Sequence, residues 1–84
     1  MDQELNLGEQ PLHALLLELG LSNHDLVNAS PEPLTHKAVQ RARKGRRLTP
    51  HMRRRLTAAL NRAVQAQVNP PEPREWKVAD LFNY

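Results

Sequence analysis

Proline and glycine break this chain into short pieces. All seven prolines and all three glycines fall at positions 8, 11, 20, 31, 33, 45, 50, 70, 71 and 73. Proline lacks a backbone donor and disfavours helical geometry at the residue before it, and glycine readily takes the left-handed conformation that ends helices. Between the breaks, apolar residues recur at helical spacing, and no segment shows the alternation of a half-buried strand. The chain is therefore limited to a few short helices packed around one small core.

Each piece carries its own start and stop. Pro11 suits a first helical position, Leu12, Leu15, Leu16 and Leu19 form a stripe on one face, and Gly20 closes the helix. Ser22, with Asp25 three residues on, can cap a second short helix whose apolar side is Leu26, Val27 and Ala29, and Pro31 and Pro33 stop it, leaving 30–34 as a turn. Thr35 can cap a third helix, His36–Lys44, with Ala38, Val39 and Ala42 inward and Gly45 at its end. Thr49-Pro50 begins a fourth, reaching about Gln67, with Met52, Leu56, Ala59, Leu60 and Ala63 buried. The expectation is an all-α bundle of four, or four to five, helices over residues 11–68. Residues 1–10 form a flexible arm, and 69–84 a Pro-rich linker and aromatic tail. Aromatics are only 4% of the chain, and the tail holds its Trp, Phe and Tyr. It either folds back over a core short of large side chains, the reading adopted here, or offers them to a partner.

Charge is segregated along the chain. Residues 1–32 hold six of the nine acids and no Lys or Arg, whereas 33–71 hold ten of the twelve basic residues and no acid. One surface should be strongly positive, and a phosphate backbone is its natural partner. The ordinary alternative is a solvated face that aids solubility. Other classes find little support. There is no cysteine, and no two of His13, His24, His36 and His51 stand four residues apart, so no metal or other cofactor is expected. The sequence shows neither a phosphate-binding glycine loop nor a nucleophile with its base, which argues against an enzyme and a small-molecule substrate. No apolar run approaches the roughly 20 residues of a membrane span, and the acidic start lacks a signal peptide's basic region. A cytoplasmic protein is expected, associated with the nucleoid if bound to DNA.

Helices 2 and 3 are short, adjacent and joined by a turn, and the third carries cationic and amide side chains. This is a helix-turn-helix layout, and residues 12–63 resemble the lambda-repressor-like (Cro and phage-repressor) DNA-binding domains. The resemblance is carried by Leu21-Ser22-Asn23-His24-Asp25-Leu26, by the spacing of Val39, Ala42 and Gly45, and by Leu48-Thr49-Pro50 followed by Leu56 and Leu60. It departs from the family in the turn, which is longer and has prolines where a tight glycine turn is usual. The resemblance implies sequence-specific binding of double-stranded DNA in transcription regulation, with helix 3 in the major groove. His36, Lys37 and Arg41, with Gln40 beside them, would reach base edges, where Arg and Lys suit guanine and Gln suits adenine. Asn23, Lys44 and Arg46, with Arg43 and Arg47 from the basic flank, would contact phosphate. It also implies a possible homodimer on two half-sites. The alternative is a protein–protein interaction module using the basic face or the aromatic tail. RNA binding suits the charge but lacks an exposed aromatic platform.

Overall fold

The computed structural model describes residues 8–67 and 75–84. Residues 1–7 of the expected arm, 68 at the end of the expected bundle, and 69–74 of the expected linker lie outside the described residues. Five helices follow in order: α1 (Pro11–Leu19), α2 (Asn23–Ala29), α3 (His36–Lys44), α4 (Pro50–Gln65) and the single turn α5 (Val78–Leu81). Among the described residues there is no strand.

Local chemistry sets the ends of these helices. Pro50 opens α4 behind Thr49, whose Oγ1 accepts from the Met52 amide at 3.1 Å, and Thr35 caps α3 in the same way through Ala38. Ser22 and Asp25 make a reciprocal capping box: Oγ accepts from the Asp25 amide at 3.2 Å, and Oδ2 from the Ser22 amide at 2.8 Å. At the end of α1 the Gly20 amide donates to Leu17 O and the Leu21 amide to Leu16 O, while Gly45 and Arg46 repeat the pattern on Ala42 and Arg41. These paired bonds are Schellman closures, and they need left-handed backbone at the glycine, with φ of 69° at Gly20 and 93° at Gly45.

The two glycines differ in their surroundings. A side chain at Gly20 would meet open space, whereas a Cβ at Gly45 would overlap the carbonyl of Gly8. Gly45→Ala should therefore cost roughly 2–5 kcal/mol, combining left-handed strain with overpacking. Gly20→Ala should cost only the strain, about 1–2 kcal/mol. Urea denaturation of both variants checks this, and equal losses would contradict the close approach of 8 to 45.

The core is built from small and medium aliphatics on every helix: Leu12 and Leu16 of α1, Leu26 of α2, Val39 and Ala42 of α3, Leu56, Ala59, Leu60, Ala63 and Val64 of α4, and Leu81 of α5, with Leu34 and Phe82 from the connecting chain. The α1 stripe narrows, since Leu15 and Leu19 pack only partly, as does Met52 on α4. The α4 stripe is wider than its leucine and alanine spacing suggests, because Thr57 and Val64 are buried too. Thr57 tolerates burial because its hydroxyl donates to Arg53 O at 2.8 Å.

Long-range polar contacts hold the connections in place. Arg55 on α4 donates to the Glu32 carboxylate at 2.9 Å and to Pro33 O at 3.1 Å, clamping the proline turn while Leu34 inserts below it. Gln10, within the stretch expected to be a loose arm, is only 2% exposed. Its amide N–H donates to Arg43 O, its side-chain nitrogen to Gly8 O, and its side-chain oxygen accepts from the Asn83 amide at 2.9 Å. A buried amide group with both ends satisfied anchors the chain, and helical periodicity does not reveal such a residue.

Residues 75–84 return across the bundle. Asn61 on α4 exchanges two hydrogen bonds with the backbone of Trp76, at 3.0 and 2.7 Å. Leu81 and Phe82 then enter the core. The Tyr84 hydroxyl donates to Arg46 O at 3.1 Å and accepts from the Leu48 amide at 3.0 Å, bracketing the loop between α3 and α4. Arg53 lies over the Tyr84 ring at 4.8 Å and donates to the Tyr84 backbone oxygen.

Candidate nucleic-acid interface

With Ala38, Val39 and Ala42 turned toward the core, the outer side of α3 is a contiguous arc. His36, Gln40, Lys44, Lys37 and Arg41 succeed one another around it, over about 140° at 3.6 residues per turn. All five are exposed. The arc is wholly polar, with three fixed cations, one amide and one imidazole. Its cationic end also suits the negative end of the helix dipole. Arg46 and Arg47 are exposed in the following loop, which carries the positive surface past the end of α3.

The edge of the arc that faces α2 is tied down by side chains. Gln40 Oε1 accepts from Asn23 Nδ2 at 3.0 Å, Asn23 Oδ1 accepts from Arg43 Nη1 at 2.7 Å, and Arg43 Nε donates to His13 Nδ1 at 2.9 Å. Three helices are thus joined by one line of polar groups. Above it, His24 Nδ1 and His36 Nε2 lie 3.3 Å apart, and Asn28 Nδ2 is 2.8 Å from His24 Nε2. The two rings are nearly parallel, 10° between planes, with centroids 5.5 Å apart. The centroid spacing exceeds the nitrogen spacing by about two ring radii, so the nitrogens face each other in a hydrogen bond.

The residues singled out from sequence fall into two groups. His36, Lys37, Gln40, Arg41, Lys44, Arg46 and Arg47 come together on one exposed surface. Asn23 and Arg43 border it, half-buried and engaged with each other. The three consecutive arginines of α4 do not act together, because successive positions point in different directions. Arg53 holds the tail and Arg55 holds the turn, and only Arg54 is exposed. Sequence reasoning missed His24 and Asn28, although placing Asn23 at the start of α2 beside helix 3 would have brought the neighbouring His24 to the same edge. His13 gave no signal, since its partner Arg43 is 30 residues away.

Other surface features offer less. An open groove of about 470 Å³ between the end of α1, α2 and α4 has Asp25 as its ionisable lining residue, and that carboxylate already serves the α2 cap. Among the described residues no three metal-ligating side chains come together, and no helix is long and apolar enough to cross a membrane. Compared with known protein families, curated proteins and solved structures, the chain matches none.

Proposed function

We propose that this chain binds double-stranded DNA as a transcription regulator of the lambda-repressor-like helix-turn-helix type, with α3 lying in the major groove. The observation that carries this reading is the outer arc of α3. A short helix, capped at Thr35 and closed at Gly45, turns Ala38, Val39 and Ala42 toward the core and leaves the cationic side chains of Lys37, Arg41 and Lys44 exposed, with the Gln40 amide beside them. An α-helix fits the major groove, and Lys, Arg and Gln match the hydrogen-bonding edges displayed there.

Lys37 and Arg41 take guanine O6 and N7, Gln40 and His36 read neighbouring edges, and Lys44, Arg46 and Arg47 neutralise phosphate at the far end of the helix. Asn23 on α2 and Arg43 on α3 border this surface and bond each other, tying α3 to α2. The aromatic tail gives no support to the rival interaction module, because Phe82 is buried and Tyr84 is bonded to the α3–α4 loop.

Titration with random duplex DNA tests the proposal. Between about 50 and about 200 mM salt, release of counterions from three to five phosphates should lower affinity by roughly two orders of magnitude. Absence of duplex binding at the lower salt would end the DNA reading and favour an acidic protein as the partner of the basic face.

A further inference from the structure

We infer that Asn23, on α2, sets the base preference of Gln40, on α3, by fixing which end of the Gln40 amide faces outward; the inference rests on the DNA-binding reading above. Its starting point is Arg43. A guanidinium has donors only, so every group it bonds must accept. His13 meets Arg43 Nε with Nδ1 at 2.9 Å, and Asn23 meets Nη1 with Oδ1 at 2.7 Å. With its oxygen committed to Arg43, the Asn23 amide has only its nitrogen to turn toward α3, and there it donates to Gln40 Oε1 at 3.0 Å. The Gln40 oxygen is thereby drawn inward and its two N–H donors are left facing out. Arginine at one end of the line fixes the polarity of both amides.

This polarity bears on recognition. A freely turning glutamine suits adenine, accepting from N6 and donating to N7. Gln40, with its oxygen held by Asn23, presents donors, and so favours a base that offers acceptors side by side. Guanine, with O6 and N7, is the best match, and cytosine, whose N4 amine donates, is the worst. One neutral hydrogen bond of ordinary strength biases the two amide orientations by roughly 5-fold. Asn23 is thus a positioning residue, acting on the base through Gln40.

Asn23→Asp reverses the line without touching α3. A carboxylate accepts only, so Asp at 23 would keep Arg43 and draw the Gln40 nitrogen inward, leaving the oxygen facing out. A carboxylate also suits the first turn of a helix, so N23D should fold. The full chain and N23D would each select from duplexes of randomised sequence. The wild type is expected to enrich guanine over cytosine at one position, and N23D to shift that ratio toward cytosine roughly 5-fold or more, with unchanged salt dependence. Unaltered preference in an N23D protein that still binds with wild-type salt dependence overturns the relay and leaves DNA binding intact.

A second readout needs no DNA. In the free protein the Asn23 side-chain amide protons should exchange several-fold more slowly than in Arg43→Met, which removes the donor that orients them. Equal exchange overturns the relay. If the wild type enriches no duplex, the DNA reading and the specificity role resting on it both fail, and slow Asn23 exchange would then show the hydrogen-bonded line alone.

Discussion

With Lys44, Arg46 and Arg47 all replaced by glutamine, duplex affinity is expected to fall roughly 100-fold or more at about 0.1 M salt, and the dependence of log K on log salt to flatten by about 3. The three side chains are exposed at and beyond the end of α3, so their charge rather than their packing is removed. Glutamine keeps length and hydrogen-bonding capacity while deleting the counterion displacement that each phosphate contact supplies. Stability should change by no more than about 0.5 kcal/mol, since surface substitutions away from structural contacts act weakly. Filter binding or fluorescence anisotropy at several salt concentrations measures the effect. An unchanged slope would mean that these three cations meet no phosphate. Lys37→Ala or Arg41→Ala should behave differently, each losing about 1–3 kcal/mol on the preferred sequence and relaxing its preference.

The second large effect concerns the fold. Leu81→Ala combined with Phe82→Ala should leave the domain unfolded or nearly so at room temperature. Leu81 is fully buried, Phe82 is 2% exposed, and both join one core with residues of α1 through α4. Truncating a buried leucine costs about 2–5 kcal/mol and a phenylalanine about 3–5, against a total stability of about 4–13 kcal/mol for a chain of this length. The Phe82 ring also meets Tyr84 edge-on, with centroids 5.9 Å apart, so its loss loosens the group that brackets the α3–α4 loop. Neighbouring truncations need not add, but either alone should be visible in urea denaturation. A double variant with wild-type circular dichroism and an unshifted midpoint would show that 75–84 contributes little to the core.

What could be read from the sequence was what neighbouring residues decide. Thr35 and Gly45 bound α3 because capping and left-handed closure depend on the few residues around each, and the same holds for Ser22 with Asp25 and Thr49 with Pro50. The outer arc of α3 follows from its period once Val39 and Ala42 are recognised as inward. The single turn of α5 was harder to foresee, as four residues carry no period. Its only local sign is Asp80, whose carboxylate accepts from the Lys77 amide.

Long-range pairing was not legible at all. Arg53, Arg54 and Arg55 are one letter repeated, and their different fates depend on what lies opposite: the tail, solvent and the proline turn. Asn23 is expected at phosphate from the resemblance, at the start of the second helix, and Arg43 from its place in the basic flank. Their half-buried pairing depends on how α2 crosses α3, and no single-element pattern encodes that crossing. The same limit hid the role of the prolines. They fall in the turn between α2 and α3, and Arg55 from α4 holds that segment in place.

Gln10 bonds Asn83, 73 positions further along the chain, and through the Arg43 carbonyl it also meets the last turn of α3. Fraying at 8–10 and detachment at 83 therefore share one residue, so neither margin can melt without straining the other. The domain should open and close as a single cooperative unit, with α3 as long-lived as the core beneath it.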